Sequence, residues 1–83
     1  MKLIEVVWLD ACCEEGPVPL DAIEDMEELI RRNIGYLVRE DKERITIASG
    51  VIYNFHNDKD AYEHVMIIPR GMIIETETLR SEG

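Results

Sequence analysis

Positive charge is scarce in this sequence. Nine Lys and Arg stand against 18 Asp and Glu in 83 residues, a net charge of -9. Non-specific nucleic-acid binding depends on Lys and Arg neutralising phosphates, and anionic membrane surfaces recruit proteins through the same charges. Neither nucleic acid nor a membrane is therefore an expected partner. Long apolar runs are also missing, since none nears the roughly 20 residues that span a bilayer. The opening Met1-Lys2-Leu3-Ile4-Glu5 is broken by Glu5 and Asp10 and leads to no small-residue cleavage site, so it does not read as a secretory signal. The expected location is cytoplasmic.

The residues of familiar catalytic and metal sites are few and badly spaced. The five glycines, Gly16, Gly35, Gly50, Gly71 and Gly83, are scattered, so no glycine-rich phosphate loop exists. Cys12 and Cys13 are adjacent, whereas an ordinary disulfide wants separated backbones. With His56 and His64 they offer four zinc-type ligands, but neighbouring cysteines are poorly placed to grip one tetrahedral ion. Glu14 and Glu15 beside them disfavour a reactive thiolate. Ser49 falls in an apparent strand, Ser81 in the tail, and His56 and Asp58 in one loop, so no nucleophile, base and carboxylate converge. We expect no enzyme, no metal and no cofactor.

What is present is a single globular domain over residues 1–83. The hydrophobic fraction of 46% is ordinary for a folded chain. Residues 3–9 form an apolar, β-branched strand that should be covered on both faces. Residues 10–19 form a loop punctuated by Gly16, Pro17 and Pro19. Residues 20–30 read as a helix, with Asp21 and Glu24 at capping-box spacing. Its apolar stripe is Ile23, Met26, Leu29 and Ile30, and a helix so short must dock to persist.

Residues 31–79 read as four strands. Alternation over 31–41 and 44–52, joined by Asp41-Lys42-Glu43, predicts a hairpin. Gly35 and Gly50 inside these runs suggest bends. Residues 53–62 read as a long loop with interleaved aromatics, residues 63–68 and 72–79 as strands around a tight Pro69-Arg70-Gly71 turn, and 80–83 as a tail. Five antiparallel strands and one helix predict a mainly β fold: an SH3-like or Sm-like small barrel whose open end the helix covers. A barrel with so thin a core is expected to form a homo-oligomer.

Val7-Trp8-Leu9-Asp10 together with Ile68-Pro69-Arg70-Gly71-Met72-Ile73 resembles a family of small uncharacterised proteins encoded by tailed bacteriophages and prophages. The resemblance runs from about Val6 to Leu79 and carries no catalytic residues. It implies a compact phage-type accessory domain in a bacterial host cytosol. The last two strands are also similar to those of Sm-like barrels, without the basic and aromatic loop residues that grip RNA.

Two features point to partners. Asp10, Glu14, Glu15, Asp21, Glu24, Asp25, Glu27 and Glu28 fall within residues 10–28 with no Lys or Arg, a local charge of -8. Such a face would steer a basic host or phage protein. Arg70 and Arg32, with Tyr53, Phe55 and His56, form the alternative: a pocket between subunits for a cyclic-nucleotide-like anion, since arginine forks pair with phosphate and bases stack on aromatics. A third reading is a small virion or tail-assembly component.

Overall fold

The computed structural model describes residues 1–10, 16–27 and 29–81. The chain runs β1 (Lys2–Asp10), α1 (Leu20–Glu24), β2 (Leu29–Glu40), β3 (Arg44–Ala48), β4 (Gly50–His56), β5 (Lys59–Glu63), β6 (Met66–Pro69), a 3-10 turn (Arg70–Met72) and β7 (Ile73–Ser81). Five strands make one antiparallel sheet in the order β6-β3-β2-β1-β7, and β4 and β5 make a separate two-stranded hairpin.

The main sheet cannot be flat. β6 and β7 occupy its two edges, four inter-strand gaps apart, or roughly 19 Å in a flat sheet. The 3-10 turn that joins them rises only about 6 Å. Strand β2 allows the necessary curl because its two neighbours use different stretches of it. Residues Leu29 to Tyr36 pair with β1, from Leu29↔Asp10 to Tyr36↔Leu3. Tyr36 to Glu40 pair with β3, from Tyr36↔Ala48 to Glu40↔Ile45, across a bulge between Leu37 and Arg39. Gly35 lies where the two stretches meet, and a Cβ there would come within 2.9 Å of the Ala48 carbonyl oxygen and 3.1 Å of the Ile47 Cβ. Only glycine lets β2 and β3 approach so closely. No pairing joins β6 to β7, so the curled sheet stays open where a closed barrel was expected.

The concave face holds the core. Ile4 and Val6 from β1, Ile45 and Ile47 from β3 and Ile68 from β6 are buried, with Trp8, Leu37, Met66 and Ile73 packed around them. β-branched residues dominate because their stiff side chains suit a pleated, covered surface. The Trp8 indole N–H donates to Asn33 Oδ1 at 2.8 Å, so the one tryptophan lies at the margin of the core with its polar atom satisfied. Val7, Thr46 and Ala48 are buried on the convex side. Arg32 sits opposite Val7 and bonds Glu5 two residues back on the same face of β1. β1 is thus covered on both faces, as its near-continuous apolar run predicts.

Three expectations are corrected. The helix ends at Glu24, because Leu29 and Ile30 pair with Asp10 and Leu9 and open β2 instead. Apolar spacing of three and four does not distinguish a helix end from a strand start once a partner strand is available. Pro19, not Asp21, occupies the N-cap, with no side-chain cap, and α1 buries no residue, so it does not plug the barrel end. Second, the stretch over 44–52 is two strands, broken at Ser49, and the loop over 53–62 is the rest of β4 and β5. Third, β6 begins at Met66 and β7 continues to Ser81, so the first half of the expected tail over 80–83 is strand, and residues 82–83 lie outside the described residues.

Candidate functional site

The β4–β5 hairpin is the most conspicuous feature of the surface. Its shape follows from local chemistry. Asn57 and Asp58 form a two-residue turn with φ of 51° and 59°, the left-handed pair that a type I′ hairpin turn requires. Asn54 is also left-handed, with φ of 52°, and its N–H donates to Asp60 Oδ1 at 3.1 Å. That bond fixes the bulge between Ile52 and His56. At the base, the Ser49 N–H donates to the Glu63 carbonyl at 2.9 Å and the Ser49 Oγ lies 2.9 Å from His64 Nδ1.

The hairpin is well shaped and poorly covered. Tyr53 is 67% exposed and Phe55 64% exposed, with Ile52 and Tyr62 also open to solvent. It extends a molecule whose principal extents are 54 × 26 × 20 Å and whose radius of gyration is 16.6 Å. A compact chain of this length would have about 12 Å. Because β4 and β5 form a sheet of their own, apart from the five-stranded one, the hairpin is an arm rather than a layer of the fold.

The predicted acidic face is placed only in part. Cys12, Cys13, Glu14, Glu15 and Glu28 lie outside the described residues. Asp10 ends β1, where Arg31 Nε donates to its carboxylate, so its charge is already paired. Asp21 and Glu24 sit on α1 and Asp25 caps its end, beside the exposed Leu20 and Ile23. α1 has no basic residue in its last turn, so the segment is acidic and apolar together.

The predicted arginines are engaged. Arg32 pairs with Glu5 at 3.1 Å. Arg70 Nε donates to the Asp41 carbonyl and its terminal nitrogen to Glu40 at 3.3 Å, while its own N–H donates to the Glu43 carbonyl. Arg70 therefore ties the 3-10 turn to the β2–β3 turn. Asp41 holds that turn together, accepting from the N–H groups of Glu43 and Arg44 at 2.8 and 2.9 Å. These bonds, with the nearby Arg44 and Arg39 charges, hold its carboxyl below its ordinary value of 3.8. Tyr53, Phe55 and His56 all belong to the arm, so the five residues of the anion pocket divide between arm and sheet. No cavity is found among the described residues.

The metal-type histidines are separated. His56 pairs with Lys59 at the arm's tip, and His64 follows its base. Among the described residues no group of three metal-type ligands occurs. The Ser49–His64 contact was not legible in the sequence, because it depends on the strand break at Ser49 and on a left-handed His64 with φ of 49°. It is open to solvent, and the Ser49 Oγ also lies 3.3 Å from the Glu63 carbonyl oxygen. The contact acts as a pin at the arm's base.

No family model, curated protein or solved structure matches this chain.

Proposed function

We propose that this chain is a non-enzymatic, self-associating interaction protein of phage type. Its body is an SH3-like curled sheet, consistent with the strand order β6-β3-β2-β1-β7 and the three-residue turn before the last strand. The carrying observation is the surface: among the described residues thirteen large hydrophobic side chains are exposed, and no cavity for a small molecule is found. A chain with this surface acts through contacts with other proteins. The acidic, apolar α1 segment is the contact for a basic partner.

Capture from a host lysate tests this reading. A basic partner is held by the wild type at low salt and released at high salt, because exposed charges are screened beyond about 10 Å at 0.1 M. The variant Asp21→Lys/Glu24→Lys should fail to hold it. Equal capture by this variant, or retention at high salt, would contradict the acidic-contact mechanism. The anion-sequestering alternative gains nothing within one chain, because Arg32 and Arg70 already serve carboxylates of the sheet.

A further inference from the structure

The arm poses a physical problem that the rest of the chain does not solve. An isolated two-stranded hairpin is marginally stable in water. This one spends two left-handed residues on its turn and a side-chain bond on its bulge, yet leaves its aromatic side chains uncovered. A shape so specified by local sequence, with its apolar surface bare, is suited to being completed by something else.

We propose that the β4–β5 arm is the self-association element of this protein: it packs its Tyr53, Phe55 and Tyr62 surface on a second copy of the chain. The inference rests on the interaction-protein reading and names the surface and occupant that serve self-association. Surface area supports it first. The chain exposes 6488 Å². A compact monomer of 9.6 kDa exposes about 5,100 Å². The surplus, roughly 1,400 Å² summed over the whole chain, falls within the half-share of an obligate homodimer interface, which totals about 2,000–5,000 Å².

Chemistry supports it second. The arm carries Lys59 against Asp58, Asp60 and Glu63, a net of -2, whereas the whole chain carries -9. Ion pairing is therefore not what would draw two copies together; aromatic and aliphatic burial is. The main sheet offers a matching deficit, with Ile30 and Ile34 exposed on β2 and Ile74 and Leu79 on β7. Each copy thus carries both an arm to give and exposed apolar side chains on the sheet to receive one, with the Arg32–Glu5 pair set between Ile30 and Ile34. A reciprocal two-fold arrangement satisfies both and closes.

The salt dependence of this contact has the opposite sign to that of the α1 contact. Two chains of charge -9 repel, and screening relieves the repulsion, so self-association tightens as salt rises. Sedimentation equilibrium on the full chain, from micromolar to submillimolar concentration and at low and high salt, is the test. Circular dichroism around Trp8 reports whether each variant is folded. The wild type should reach at least twice 9.6 kDa, more readily at high salt. Tyr53→Ser/Phe55→Ser should return it to 9.6 kDa with the Trp8 signal kept, and Leu20→Ser/Ile23→Ser on α1 should leave the wild-type mass. A monomeric wild type throughout, an arm variant that keeps the wild-type mass, or dissociation on adding salt would each overturn the proposal. A monomer that still holds a basic partner through α1 overturns the arm's role and leaves the interaction reading standing. Loss of both overturns both.

Discussion

The main sheet and the arm are built from the same residue classes and behave oppositely. In the sheet, Ile4, Val6, Ile45, Ile47 and Ile68 come from three strands, and each strand covers another's side chains. In the arm, β4 and β5 pair only with each other among the described residues, which give Tyr53 and Phe55 no third layer. The sheet's stability is therefore tertiary, held by side chains distant in sequence. The arm's shape is local, held by the Asn57-Asp58 turn and the Asn54–Asp60 bond. A region can be conformationally specified without being buried, and where that occurs the missing burial marks a place for contact.

Truncation should separate the two regions most sharply. Ile45→Ala or Ile68→Ala removes a fully buried side chain and should cost about 2–5 kcal/mol, close to all the stability of so small a domain. Phe55→Ala should shift the unfolding of the dilute chain by no more than about 0.5 kcal/mol, because the side chain is exposed there. Urea denaturation of both variants checks this. An equal loss would mean that the arm is part of the core.

Backbone approach gives the next contrast. Gly35→Ala would place a Cβ 2.9 Å from the Ala48 carbonyl oxygen and should cost about 1–3 kcal/mol. Gly71→Ala meets nothing within 4 Å and should be neutral to within about 0.5 kcal/mol. Thermal melts decide, and a harmless Gly35→Ala would mean that the sheet is not bent there.

A smaller effect of the opposite sign is expected at Thr46. Its hydroxyl is buried and has no hydrogen-bond partner among the described residues. Thr46→Val keeps the shape and removes the unpaired group, so it should stabilise the sheet by about 1 kcal/mol. A lower melting temperature would show that the hydroxyl has a partner in solution.

The smallest effect concerns Asp41. Its folded-state pKa is lowered chiefly by the N–H of Glu43 and then that of Arg44. Its contribution is therefore complete above the unfolded value and fades as pH falls through the folded one, in the acid range below 3.8. Asp41→Asn keeps a side-chain acceptor but does not titrate. Stability curves of wild type and variant should converge below that pH, and parallel curves would remove Asp41 from the account.

Much of the sheet was legible in the sequence. The apolar run around Val6, the Asp41-Lys42-Glu43 link and the turn at Arg70 are local signals, and the structure keeps them. The end of α1 was not legible, because Leu29 and Ile30 suit a helix face or a strand equally until β1 is beside them. The arm was half legible. Asn57-Asp58 between β-forming residues is a hairpin signal, but polar residues around it disguised the strands. That Tyr53 and Phe55 would be bare was not readable at all, since exposure depends on whether the tertiary fold supplies a covering layer. Of the site residues, the negative charge of α1 was plain from composition. The engagement of Arg32 by Glu5 and of Arg70 by Glu40 depends on strand register.

On this proposal the sheet stands alone while the arm awaits a second copy. Amide hydrogen exchange across protein concentration tests it most directly, because burial on association protects the amides it covers. Amides of Ile45 and Ile47 should exchange slowly at every concentration. Those of Ile52 to Phe55 and of Tyr62 should exchange fast in dilute solution and slow markedly as concentration rises. Arm protection that does not change with concentration would contradict the account.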